Sequence, residues 1–159
     1  MDCVDLAIHN RGSEIAMPNL DPIGAAGMRF TDGHSSSGIY ASSRFALLTR
    51  RCHWRKFRSI VNASGNSVFD PQRLTLPEML KANGYRTAGI GKYHVGMSFD
   101  DGEGNPADDF YFHDVDFTKP LLDGPTDHGF NEYFGVPGNT EDPLDTEPRV
   151  LIRNDRFTF

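Results

Sequence analysis

The chain has 159 residues, 38% of them hydrophobic and 24% charged, enough for one ordinary domain with its own core and too few for two. A formal net charge of -6 excludes general nucleic-acid binding, which needs a basic face against phosphates. No apolar run in the sequence approaches the roughly 18 residues of a membrane span, so no membrane partner is expected.

The opening MDCVDLAIHN has two acids and no basic n-region, so it does not read as a secretory signal. Cys3 and Cys52 are the only cysteines and suggest neither a disulfide framework nor a zinc site. Cys52 and His53 are adjacent, and neighbours in sequence rarely ligate one metal. In MPNLDPIGAAGMRFTDGHSSSG a helix is expected to start near Asn19 to Pro22, carry Leu20, Ile23 and Ala26, and stop at Gly27. A strand over MRFT, residues 28–31, then leads into a polar loop. The stretch SSSGIYASSRFALLTRR, residues 35–51, runs from small hydroxyl residues into an apolar helix, with one large phenol, Tyr40, among them. Asn62-Ala63-Ser64 is a glycosylation triplet, of a kind that often arises by chance.

In RLTLPEMLKANGYRTAGIGKYHVG the order recurs more clearly. Thr75 and Glu78 form a T-x-x-E capping box with Pro77 in the first turn. Leu76, Met79 and Leu80 share one helical face, and Gly84 is the stop. YRTAGI, residues 85–90, reads as a strand buried on both faces, running into the loop GKYHVG. Helix, glycine, strand and loop, twice over, predict an α/β domain with a mostly parallel sheet flanked by helices. Ligands bind such sheets at the carboxyl ends of the strands, where DGHSSSGIYASSR and GKYHVG both fall.

From Met97 onward the chain reads as an acidic, solvated excursion. A calcium loop starting at Asp101 places Glu103 and Asn105 correctly, but Pro106 falls where glycine is required and Phe112 where a bidentate Glu belongs. Phe130, Tyr133 and Phe134 read as packing aromatics.

Lys92 and His94 flank Tyr93 after the strand. If the backbone stays extended there, both cations face one pocket. A lysine gives fixed charge and three donors, histidine a proton near neutral pH, and Arg44 a fork suited to oxyanions. Together they suit a tetrahedral anion such as sulfate or phosphate. The plainer alternative is a surface lysine and a hydrogen-bonded histidine.

The sequence resembles the sulfatase family along nearly its whole length. MPNLDPIGAAGMRFTDGHS, YASSRFALLTRR, LTLPEMLKANGYRTAGIGKYHVG and HGFNEYFG are similar, in order, to P-N-L-D-x-L-A-x-x-G-x-x-F-x-D, C-x-P-S-R-x-x-L-L-T-G-R, L-T-L-A-x-x-L-K-x-x-G-Y-x-T-x-x-x-G-K-W-H-L-G and G-F-D-x-F-x-G. The resemblance implies a partial alkaline-phosphatase-like α/β domain spanning 1–159, with the motifs in about 4–137 and the start of a following segment in 138–159. It implies sulfuric ester hydrolysis by a formylglycine made from the motif cysteine. Arg44 would steady that residue, Lys92 and His94 would bind the sulfate oxyanion, and Arg51 would support the loop beside Ser42 and Ser43. The ligand would be a sulfate ester or sulfated glycan, with calcium as cofactor in the intact family and an extracytoplasmic setting usual for it.

Three positions depart from the pattern. Tyr40 stands at the formylglycine precursor, Ser42 at the motif proline and Arg50 at the glycine of T-G-R. A phenol has no thiol or aliphatic alcohol to oxidise, and its pKa near 10 makes it a poor nucleophile at neutral pH. The family's calcium aspartates align before Met1, and its later Asp-Asn pair beyond Phe159. Three functions are therefore expected, in order. The first is a truncated, inactive sulfatase-family polypeptide of marginal stability. The second is a sulfated-glycan binding module using Arg44, Lys92 and His94. The third is a sulfate or phosphate ester hydrolase using Ser42, Ser43 or Tyr40.

Overall fold

A computed structural model describes residues 7–59, 61–62, 65–107, 112–138 and 150–158. The chain divides into two units, 1–34 and 35–159. Cys3, and Ala63 and Ser64 of the glycosylation triplet, lie outside the described residues.

In the first unit, helix α1 spans Asp21–Ala26 with Pro22 in its first turn, where a missing N–H costs nothing. Leu20 offers no side-chain cap, and the Asp21 carboxylate accepts the Ile8 N–H instead, at 3.3 Å. The chain leaves the helix at Gly27 as expected, with its N–H on Ile23 O. The expected strand over 28–31 does not form, and Phe30 is 77% exposed. A strand needs a neighbour for its N–H and C=O groups, and no described residue pairs with this one.

The second unit holds α2 (Tyr40–Thr49), a short 3-10 turn (His53–Arg55), α3 (Leu76–Ala82) and strands β1 (Ala88–Lys92), β2 (Glu132–Val136), β3 (Leu151–Arg153) and β4 (Arg156–Thr158). The sheet order is β1-β2-β3-β4. β1 and β2 are parallel, while β2–β3 and β3–β4 are antiparallel. The result is a mixed α/β sheet with helices, its parallel character concentrated where the cationic loop leaves β1.

α3 forms as its residues dictate. Glu78 accepts the Thr75 N–H at 2.6 Å while Thr75 Oγ1 accepts the Glu78 N–H, the reciprocal capping box. At the other end Gly84, at φ +84, sends its N–H to Lys81 O, and Tyr85 N–H reaches Leu80 O. This 5→2 and 6→1 pair is a Schellman stop. The HGFNEYFG motif then locks the helix to the strand. Thr75 Oγ1 donates to His128 O at 2.7 Å, and Thr87 Oγ1 donates to Gly129 O at 2.6 Å. Gly129, at φ +95, lets the chain pass α3 so closely that a Cβ would lie 2.3 Å from Glu78 N.

Strand β1 starts three residues later than expected, because Thr87 is engaged with Asn131 rather than with a ladder: Thr87 N–H meets Asn131 Oδ1 at 3.0 Å. Nor is it buried on both faces. The Gly89 face packs on the Tyr133 and Phe130 rings, whereas Ile90 is 86% exposed and pairs in register with half-exposed Phe134. Of the three expected packing aromatics, Tyr133 is buried and Phe130 packs against the core, but Phe134 stands on the open face.

The core also corrects the solvated excursion. Val95, Met97 and Phe99 have no exposed surface, and Phe99 packs against Phe112 and Phe157. Asp100 is buried too, its Oδ1 accepting N–H groups from Gly102 at 2.7 Å and Gly104 at 3.0 Å. Asp101 is partly exposed, and the N–H groups of Glu103 and Asn105 hold its carboxyl below the usual range.

Candidate active site

Loop 35–39 is stitched to the first turn of α2 by its own hydroxyls. Ser35 Oγ donates to Ser37 O at 2.7 Å, Ser37 Oγ accepts the Ile39 N–H at 3.1 Å, and Ser36 Oγ donates to Ser42 O at 3.3 Å. Ser43 Oγ lies 2.8 Å from Ser35 Oγ and donates to Ser37 O, so this hydroxyl is a structural tie. Ser42 is buried.

Extended Ile39, with φ -105 and ψ 137, starts the helix without a side-chain cap, and Tyr40 is its first residue. Arg44 follows four residues later, on the same helical face. α2 ends at Arg50, whose φ of 56 and ψ of 30 are left-handed, a conformation that favours glycine. Half-buried Arg51 makes no hydrogen bond or ion pair with the described residues.

Lys92 is the last residue of β1. The loop does not stay extended after it: His94 has φ +56 and is 5% exposed. Its N–H bonds Pro137 O at 2.7 Å, and its ring Nε2 lies 2.9 Å from Val61 O. A carbonyl only accepts, so we assign the proton to Nε2. Tyr133 Oη meets Gly91 O at 2.7 Å and Val136 O at 3.0 Å, bracing the exit of both parallel strands. Burial pushes this phenol well up, and the nearby Arg44 charge opposes the shift. Neither Val61 nor Tyr133 was readable as a site residue, since a backbone acceptor and a core phenol carry no local sequence signal.

The side chains of Arg44, Lys92 and His94 converge, and Tyr40 stands at the centre. Lys92 Nζ lies 3.8 Å above the Tyr40 ring centroid, and Arg44 Cζ lies 5.7 Å from it. The His94 ring stacks at 6.2 Å with 22° between planes. The lysine sits well within cation–π range. Beside it is a cavity of about 160 Å³ lined by Arg44, Leu47, Leu48, Lys92, Phe130 and Tyr133, and Arg44 Nη1 is buried without a hydrogen-bond partner among the described residues. Among the described residues no group of three or more His, Cys, Asp or Glu could hold a metal ion. The side chains of Arg44, Lys92 and His94 offer no oxygen ligand for calcium.

Lys92 at the end of a parallel strand, His94 in the loop after it and Arg44 on α2 meet at the carboxyl end of the strand, where α/β sheets bind ligands. The sulfatase family model matches residues 5–151; the chain belongs to the sulfatase family. It is 28% identical over 144 residues to N-acetylgalactosamine-6-O-sulfatase of Bacteroides thetaiotaomicron, covering 89% of this chain and 25% of that protein. It is 30% identical over 157 residues to human N-acetylgalactosamine-6-sulfatase, covering 93% and 26%. The chain thus spans about a quarter of the length of the curated relatives it matches. A solved structure from work on the metabolism of multiple glycosaminoglycans by Bacteroides thetaiotaomicron superposes with a TM-score of 0.71 at 26% identity, over 97% of this chain and 29% of that one. The crystal structure of Ps i-CgsB with k-i-k-neocarrahexaose has a TM-score of 0.63 at 21% identity, over 99% of this chain and 35% of that one, a likeness of fold alone.

Proposed function

We propose that this chain carries the sulfatase site for sulfate esters of sugars in a form that does not hydrolyse them. The carrying observation is Tyr40, at the first residue of α2, where the motif alignment puts the formylglycine precursor. Formylglycine chemistry needs a carbon that can bear an aldehyde, whose hydrate offers one hydroxyl to attack sulfur and a second to expel sulfate. A phenol carbon cannot become that aldehyde, and a single phenolic hydroxyl offers no second step. A direct attack by Tyr40 would leave its oxygen esterified as an aryl sulfate, with nothing to release it. Ser43 does not replace it, because its hydroxyl is engaged with Ser35 and Ser37. Sulfated sugar as ligand class is supported by Arg44, Lys92 and His94 and by the names of the relatives. The test is release of phenol from an aryl sulfate, with calcium present. We expect the rate of buffer alone. A rate above buffer that is abolished by Lys92→Ala would overturn the proposal.

A further inference from the structure

Lys92, Arg44 and His94 come from β1, α2 and the loop after β1, yet all three are arranged around one object, the Tyr40 ring, at 3.8, 5.7 and 6.2 Å. A tetrahedral anion held by these groups would have to occupy the space they share. The ring face is the negative side of an aromatic quadrupole, so it satisfies cations while repelling an incoming anion. We infer that Tyr40 is an internal occupant of the site: its ring closes a latent oxyanion pocket by taking the cations for itself. This rests on the reading of Arg44, Lys92 and His94 as an anion site.

The closure is reversible by construction. Tyr40 is 58% exposed and begins a helix that has no side-chain cap, so the side chain can swing away without unpacking the core. The cost of opening is then largely the loss of the cation–π contacts, and contacts of this kind shift a binding constant by about tenfold.

The experiment is titration of inorganic sulfate, and separately inorganic phosphate, into the wild-type chain, Tyr40→Ala, Tyr40→Phe and the double variant Tyr40→Ala with Lys92→Ala. Alanine at a solvent-facing first helical position keeps helix propensity. We expect Tyr40→Ala to bind at least about tenfold more tightly than wild type, Tyr40→Phe to stay with wild type, and the double variant to lose the gain. Equal affinity in wild type and folded Tyr40→Ala overturns the inference, as does a gain in Tyr40→Phe. A second readout needs no change to Tyr40: in the wild type, ring current should move the Lys92 Cε protons upfield. Random-coil values for those protons overturn the inference independently. Failure here leaves the absence of turnover untouched, and turnover by wild type would leave the ring contact untouched, so the two readings fail separately.

Discussion

Tyr93 sets a second phenol close to the site, in the opposite circumstances from Tyr40. It is 5% exposed, and its Oη is buried with no hydrogen-bond partner among the described residues. An unsatisfied buried hydroxyl costs about 1–3 kcal/mol, so Tyr93→Phe should stabilise the fold by about 1 kcal/mol in denaturant titration. Burial also pushes the Tyr93 pKa well above its usual value, with the charges of Asp123, Tyr133 and Asp127 adding to the effect. Above the unfolded pKa of about 10, the unfolded chain releases this proton while the folded chain keeps it. Stability from this group is therefore full below pH 10 and falls above it, by about 1.4 kcal/mol per pH unit. Between pH 10 and 11 the wild type should lose about 1 kcal/mol more stability than Tyr93→Phe; parallel slopes would show that the phenol is not held protonated by the core.

At the scale of elements, α2 and α3 illustrate two ways of ending a helix. α3 stops on Gly84 at φ +84, whereas α2 stops on Arg50 at φ 56, where an L side chain is strained by about 1 kcal/mol. Arg50→Gly should recover about that much stability, measured by the shift of the urea midpoint at unchanged m-value; a loss would mean the arginine side chain has packing of its own. Thr75→Ala removes both the cap and the bond to His128 O and should cost about 1–2 kcal/mol. The α3 boundaries were legible because capping box and Schellman stop are local chemistry. The start of β1 was not, since its first ladder residue is decided by where Thr87 meets Asn131, 44 residues away. Burial of 95–99 was written as V-G-M-S-F alternation, but the acidic run after it masked the period. The family motifs single out Arg44, Lys92 and His94, but not the ring they surround, because sequence gives the identity of Tyr40 without its neighbours.

For the whole chain, the sheet is covered on one side only among the described residues. Tyr133 and Ile152 lie beneath it, while Ile90 at 86% and Phe134 at 48% exposure face out beside a groove of about 390 Å³. A bare apolar sheet face next to the terminal strand β1 favours self-association. The 159-residue chain should therefore show concentration-dependent light scattering, reduced in Ile90→Lys; scattering of a monomer at all concentrations would contradict this. We propose that this sulfatase-family chain keeps the cationic groups of its site without the nucleophile. The most direct test is single-turnover release of inorganic sulfate, with protein in excess over a 6-sulfated N-acetylgalactosamine and calcium present. We expect no sulfate beyond the buffer control over a full day. A stoichiometric burst of sulfate, lost in Lys92→Ala, would contradict it by showing hydrolysis at this site.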